Sequence, residues 1–328
     1  MPLISVVIPV YNGEKTIQET IESVLNQSFS DLELIVINDG STDRTLEIVS
    51  HIQDERLKLF SYPNAGVAES RNRGICQANG EFISFIDADD LWTVDKLENQ
   101  LKALQENPQA AVAYSWTKCI DESGEISRRG SHISDTGNVY AKLLLIDFIE
   151  NGSNPLIRKQ ALQEVGNFDR SVVPSEDRDM WLRLAANYHF VCVPAAQILY
   201  RQLSYSASAN VVKQEIASLK AIEKAFSQAP ESLKHLKRHS IANIYKGLTF
   251  KALEAKPQPK QGLIAARLLW HSIKNDPALL QTRVIWKALL KIVVMVIMPP
   301  QISQYLITKF KSVFNTITIL GHLQLELF

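Results

Sequence analysis

The sequence predicts an α/β protein, with a mostly parallel sheet flanked by helices and then a segment of helices alone. Three observations carry that prediction. Short apolar runs alternate with helical periods through the first 90 residues, a polar cluster follows each of the first four runs, and no strand pattern recurs after residue 210.

Residues 3–8 read as a buried strand, and Ile17, Ile21, Val24 and Leu25 then recur at the spacing of a helix's inner face. Residues 34–37 form a second apolar run. Leu46, Val49 and Ile52 mark a second helix, which Ser41 or Thr42 is placed to cap. A third strand at 57–60, a third helix at 66–79 and a fourth strand at 82–86 complete a βαβαβαβ series. Beyond it we expect a helix at 94–106, a strand at 111–116, a mobile polar loop at 121–137, helices at 157–165 and 177–187, and short strands at 190–193 and 198–201. The first domain is expected to span 1–210, with its boundary between Ser204 and Asn210, and a basic amphipathic helical segment to span 211–328. Lys256-Pro-Gln-Pro-Lys260 reads as a linker between helices.

The chain has 328 residues, 46% hydrophobic and 21% charged, the mixture of a protein able to bury a large core. Cys76, Cys119 and Cys192 lie far apart without a C-x-x-C pair, which argues against a disulfide framework or a zinc site and for a reducing cytoplasm. The opening Met-Pro-Leu-Ile-Ser lacks the charged region and cleavage motif of a signal peptide. A formal net charge of zero conceals a division: residues 1–210 carry 18 basic against 29 acidic side chains, and residues 211–328 carry 17 against 6. An anionic partner suits the second segment.

In open sheets of this kind, ligands bind at the carboxyl ends of the strands. The polar clusters fall there: Pro9-Val-Tyr11-Asn12-Gly13, Asn38-Asp39-Gly40-Ser41, Asn64-Ala-Gly66 and Asp87-Ala88-Asp89-Asp90. Asp87 and Asp89 share one side of the strand, about 7 Å apart along the backbone. Two like charges so placed need a counter-ion, and a divalent cation bearing a phosphate ligand supplies one. Taken alone, a strand-end turn with solvated acids fits the same residues. Asp39 is placed to accept from a base or a ribose, although an Asx turn also explains it, and Tyr11 to stack on a nucleobase, although simple packing does as well. Arg71 has the fork that matches phosphate, or it forms a surface ion pair. Glu176 and Asp177, at the start of a predicted helix with Trp181 one turn on, suit a general base beside an aromatic wall; acids are also favoured there by the helix dipole.

Together, Val6–Asn12, Asn38–Ser41, Asn64–Asn72, Asp87–Asp90 and Glu176-Asp177 resemble, in order and spacing, the family 2 glycosyltransferases with the Rossmann-like GT-A fold, over roughly residues 3–205. That resemblance implies inverting transfer of a sugar from a nucleotide diphosphate donor, usually a uridine one, with Mn²⁺ or Mg²⁺, to a saccharide or lipid-linked acceptor. It implies that Tyr11 and Asp39 hold the base, Arg71 contacts the nucleotide, and Pro9, Gly66 and Ala88 line it. Asp87 lies between ribose and metal, Asp89 is the firmest metal ligand, Asp177 (or, second, Glu176) is the base, and Trp181 and Arg183 shape the acceptor side. Family members often carry a histidine after the pair that here is Tyr200-Arg201, whereas this chain continues Gln202-Leu203-Ser204-Tyr205-Ser206. The third metal ligand is thus unassigned, and His189 reads as structural.

Two other readings compete. Aspartate-dependent phosphohydrolases also place D-x-D after an apolar strand, but on the first strand with a Gly-Thr soon after, whereas here Leu91-Trp92 follows the fourth. A non-catalytic nucleotide-sugar binding module would keep Asp39 and Asp89 without needing Asp177.

In the basic segment, residues 284–298 are strongly apolar but too few to span a bilayer, and after Pro299-Pro300 the residues Ile302, Leu306, Phe310, Val313, Phe314 and Ile317 form a second helical stripe. Such helices lie in a membrane interface, as on the inner face of a plasma membrane, with Lys287 and Lys291 towards anionic headgroups, or they pack on the protein or another subunit. The basic residues form no nucleic-acid reading motif.

Overall fold

The computed structural model describes residues 1–202 and 210–323. The chain divides into two compact units, Met1–Leu143 with Asp147–Ala209, and Asn210–Phe328 with Leu144–Ile146. Of the expected boundary, Ser204 to residue 209 lie outside the described residues, as do residues 203–206 of the stretch after Tyr200-Arg201.

The first unit is built on a nine-stranded sheet. Its strands are β1 (Ile4–Val10), β2 (Leu32–Asn38), β3 (Leu57–Ser61), β4 (Phe82–Phe85), β5 (Leu91–Trp92), β6 (Ala110–Ile120), β7 (Ile126–Arg129), β8 (Leu156–Arg158) and β9 (His189–Arg201). The order is β3-β2-β1-β4-β8-β6-β9-β5, with β7 added on β6. The first four strands are mutually parallel, and in register Val10 faces Asn38, which faces Ser61. Every residue of β1 and β2 is buried, as expected of strands covered on both faces by helices. Those helices include α1 (Ile17–Leu25), α2 (Thr45–His51), α3 (Val67–Gln77) and α4 (Lys96–Glu106). Ile17, Ile21 and Val24 of α1 join Leu97, Leu101 and Leu104 of α4 in one core cluster with Val6, Ile8, Leu34 and Val36.

The far half is mixed. β8 runs antiparallel between β4 and β6, while β9 runs parallel to β6 for ten residue pairs. The start of the helix expected at 157–165 is therefore strand, and the helix itself is α6 (Lys159–Val165). The two short strands expected near 190 and 198 are one strand, β9, whose register shifts opposite Ser115–Thr117 absorb the intervening residues. The polar stretch at 121–137, expected to be a loop, contains β7, paired with the end of β6. Helices α5 (Tyr140–Leu145) and α7 (Glu176–Asn187) complete the elements before the undescribed stretch. His189 is an exposed residue opening β9.

The second unit consists of α8 (Val211–Gln228), α9 (Lys237–Glu254), α10 (Pro259–Asn275), α11 (Arg283–Ile297), α12 (Pro300–Lys309) and the single turn α13 (Lys311–Phe314), with short 3-10 segments between. Asn210 caps α8, its side chain accepting from the Lys213 amide at 3.1 Å. Within this unit the buried Lys246 Nζ lies 2.7 Å from Asp276, and the exposed Arg267 holds the buried Glu215.

Candidate active site

The parallel half delivers its loops to one edge, and side chains lock them together. The Asn12 amide donates to Ser41 Oγ at 3.0 Å, the Thr42 amide to Asn12 Oδ1 at 2.8 Å, and the Gly13 amide to Thr45 Oγ1 at 2.8 Å. Ser41 and Thr42 are thus used to tie the first loop to the second. They do not cap α2, which starts only at Thr45 after Asp43 has accepted from the Thr45 amide and hydroxyl.

Asp39 is buried at the end of β2. Its carboxylate accepts from the amides of Ala65 and Gly66 at 2.9 and 2.8 Å, and from Arg73 at 3.2 Å. It therefore fixes the entry to α3, where Gly66 sits at φ 89°, a conformation that favours glycine. Tyr11 is 54% exposed beside this loop pair, and Pro9 is buried inside β1 opposite Ile37.

The acids after β4 are held differently from one another. Asp90 is fully buried; it accepts from Ser153 Oγ at 2.5 Å and from the Arg201 amide at 2.9 Å. Burial, with Asp89 and Asp87 nearby, holds its carboxyl well above the ordinary range, so it is a structural member of the triplet. Ser153 Oγ also accepts from the Asp87 amide, Arg201 Nε donates to the Asp89 carbonyl, and the Ala88 carbonyl accepts from Thr16. With Asp90 spent inside, Asp87 and Asp89 are left half-buried at the edge. Burial first and Asp87 second push Asp89 up to about 7, so the pair resists carrying two negative charges.

Arg71 joins this edge to a distant one. Its guanidinium, 2% exposed, donates to Asp87 Oδ1 at 2.6 Å and to Glu176 Oε1 at 2.8 Å. Burial works to lower its pKa, but Asp87, Glu176 and Asp177 outweigh it and raise it. Room for the side chain comes from Gly152, where a Cβ would lie 2.3 Å from Arg71 Nη2. The reading of Arg71 as a simple surface ion pair is therefore overturned: it is a buried strut between the β4 acids and the start of α7.

At α7 the carboxylates crowd. Burial, then Glu176 and Asp147, hold Asp177 well above the usual range, while Arg71 and the Arg178 amide oppose them. Asp147 is raised by burial and opposed by Arg178. Glu176 Oε2, Arg178 Nε and Nη2, and Asn151 Oδ1 are buried without a hydrogen-bond partner among the described residues. Buried polar atoms left so are atoms that water or a ligand normally satisfies.

Two residues expected on the acceptor side face elsewhere. Trp181 has no exposed surface and packs edge-on against Phe168 at 6.3 Å, because α7 turns that position into the core. Arg183 pairs with Asp179 at 2.9 Å and donates to the carbonyls of Val165, Gly166 and Asn167, closing the carboxyl end of α6. Sequence reading also missed Asp147, Gly152, Ser153, Arg178 and the duty of Arg201. Only the polar Asn151-Gly-Ser-Asn154 run before β8 hinted at them, through the rarity of four such residues in a buried position.

Asp87 and Asp89 are the two carboxylates that a hard cation would use here; among the described residues no cluster of three or more His, Cys, Asp or Glu is placed to bind one. The excess of acid over base fits such a cation, whose remaining positions phosphate and water commonly fill.

Comparison with known proteins agrees with this geometry. Residues 5–252 match the family model "Glycosyltransferase like family 2", so the chain belongs to that family. An uncharacterized glycosyltransferase of Haemophilus influenzae is 44% identical over 129 residues, covering 38% of this chain and 52% of that protein. A chondroitin synthase of Pasteurella multocida is 30% identical over 187 residues, covering 56% of this chain and 19% of that one. The chain thus spans about half or less of the length of these relatives. Among solved structures, S. aureus TarS 1-349 in complex with UDP-GlcNAc covers 98% of this chain and 91% of its own, with 20% identity and a TM-score of 0.60. A mannosyltransferase from Pyrobaculum calidifontis, in complex with GDP-Man and Mn²⁺, covers 94% and 88%, with 20% identity and a TM-score of 0.58. The fold is that of the GT-A glycosyltransferases.

Proposed function

We propose that this glycosyltransferase moves a sugar, with inversion at the anomeric carbon, from a uridine diphosphate donor to a hydroxyl of a saccharide or lipid-linked acceptor, in polysaccharide or glycolipid synthesis in the cytoplasm. The chemistry belongs to residues 1–210, with 211–328 as a separate helical domain. One observation carries the reading: Arg71 ties Asp87 to Glu176, 89 positions further on, so strand-end acids and the start of α7 share one site. Support for the donor class comes from the UDP-GlcNAc and GDP-Man complexes of the structural neighbours.

In this reading Tyr11 stacks on the base, while Asp39, by fixing the amides of Ala65 and Gly66, sets the loop against which the base rests. Pro9, Gly66 and Ala88 line the nucleotide. Asp87 and Asp89 would hold Mn²⁺ or Mg²⁺, which when bound would neutralise charge on the departing diphosphate. Arg71 keeps Asp87 turned to that role and anchors Glu176. Asp177, beside it at the amino end of α7, takes the proton of the acceptor hydroxyl as that oxygen attacks the anomeric carbon from the side opposite the leaving group. Glu176, bound to Arg71, is the weaker candidate for the base. Trp181 and Arg183 act on the acceptor side only by packing and anchoring α7.

Thermal unfolding with UDP, GDP and ADP, each with and without Mn²⁺, tests the donor and the metal together, since a ligand of the native state raises stability with its affinity. A UDP shift that requires Mn²⁺ and disappears in Asp89→Ala is the expected result. A UDP shift undiminished in that variant removes the metal role, and no shift with any nucleotide removes the donor class.

A further inference from the structure

We propose that the outer face of α11 and α12 is a docking surface for an anionic lipid bilayer, on which the chain lies without crossing. Membrane contact and packing on protein were alternative fates for this segment, and the structure assigns one to each face of α11. Val284, Ile285, Ala288, Ile292 and Met295 are buried. The opposite face remains open: Trp286, Leu290, Val293 and Ile297 recur at helical spacing and are 69%, 44%, 49% and 69% exposed. Ile302 and Tyr305 of α12, 48% and 58% exposed, extend the apolar surface past Pro299. A run of large exposed apolar side chains of this kind marks an interaction surface.

Charge selects the occupant. From Arg283 to Leu323 the sequence has five cations, Arg283, Lys287, Lys291, Lys309 and Lys311, and no acid. Lys291 is buried and paired with Glu254 at 2.7 Å, which corrects its expected place towards headgroups. Phe314 is likewise turned inward. The other four cations stay at or near the surface, with Lys287 donating to the Ser312 carbonyl at 3.0 Å and Lys309 to the Tyr305 hydroxyl at 2.9 Å. A second copy laid on this face would set cation against cation, whereas anionic headgroups neutralise them. Trp286 and Tyr305 have the amphipathic rings that favour the headgroup level. At 15 residues α11 is about 22 Å long, short of the roughly 30 Å of a hydrocarbon core, and no helix among the described residues is long and apolar enough to cross.

The test is co-sedimentation of the full chain with vesicles of phosphatidylglycerol mixed into phosphatidylcholine, and with vesicles of phosphatidylcholine alone. Wild type is expected to bind the anionic vesicles at least about tenfold more tightly and to be released by salt. Val293→Glu with Ile297→Glu, at unchanged melting temperature, should abolish binding, and Lys309→Gln with Lys311→Gln should weaken it about tenfold or more, as two lysines at about 1 kcal/mol each allow. Binding to neither vesicle, or equal binding by the glutamate variant, overturns the proposal. A dimer in light scattering that the glutamate substitutions dissolve also overturns it, by assigning the face to a second copy. Nucleotide binding by the first unit is read separately, so failure here leaves the donor reading standing.

Discussion

The parallel half of the sheet, β3-β2-β1-β4, carries its polar residues on loops that directly follow the strands, whereas the half made of β8, β6, β9 and β5 grips the same acids from behind. Asp39, Asp87 and Asp89 stand at strand ends. Asp39 is held within its own half, by Ala65, Gly66 and Arg73, but what fixes the acids after β4 comes largely from the other half: Ser153 and Arg201 on Asp90, Gly152 making room for Arg71, and Glu176 completing the Arg71 bridge. The difference teaches that the parallel half supplies the strand-end acids, and the other half supplies their geometry together with Asp177, the proposed base. Substitutions of the acids that do the chemistry should strike turnover, and those of the residues that hold them should strike stability and binding together.

The largest expected effect tests the proposed base. Asp177→Asn keeps an oxygen for the Arg178 amide but removes the base, and should lower kcat by about 10²- to 10⁴-fold with little change in melting temperature. Turnover that survives it would move the base elsewhere, whereas donor binding without any turnover in the wild type would favour a pure binding module.

Arg71→Ala sits across the divide. It strips two carboxylates, one of them buried, of their cation, and should destabilise the fold by about 3–5 kcal/mol in a denaturant titration. A loss below about 1 kcal/mol would show that Asp87 and Glu176 do not depend on the strut.

Gly152→Ala tests the supporting half alone. Its methyl must displace the Arg71 guanidinium, and overpacking of that kind costs about 1–3 kcal/mol. Weaker nucleotide binding should accompany it, measured by calorimetry. Unchanged binding would mean that the second half is mere scaffold.

The smallest effect lies at the opposite edge of the parallel half, and it should leave the site untouched. Glu33 accepts from Ser5 at 2.6 Å, from the Asn79 amide at 2.6 Å and from Lys58 at 2.7 Å. Burial alone would raise its carboxyl, but these partners together hold it down to about 2 from an ordinary 4.5. The unfolded chain therefore takes up the proton first as pH falls. The stability Glu33 lends is complete above about 4.5 and is lost between there and about 2. Melting curves of Glu33→Gln should lack that part of the acid slope while keeping nucleotide affinity.

How much of this was legible follows from where the interactions lie along the chain. The alternation of apolar runs and helical periods gave β1 to β4 and α1 to α4, because a strand buried on both faces is a continuous apolar run and its loop comes next in sequence. Residues 121–137 and 190–201 were harder. A strand such as β7, largely exposed, has no hydrophobic signature, and the irregular register of β9 against β6 interrupts the period that would mark one long strand.

The amino-acid order by itself determined the strand-end acids, the acidic pair opening α7 and the division of charge between the two segments, since each is a local pattern in consecutive residues. Only the tertiary structure decided which acid is spent in the core, that Arg71 is a strut and not an open phosphate fork, that Trp181 and Arg183 serve packing, and which face of α11 is left bare. The duties of Asp90 and Arg71 depend on partners 16 to 111 residues away in sequence, and burial and Coulomb energy act through space, where such distances vanish.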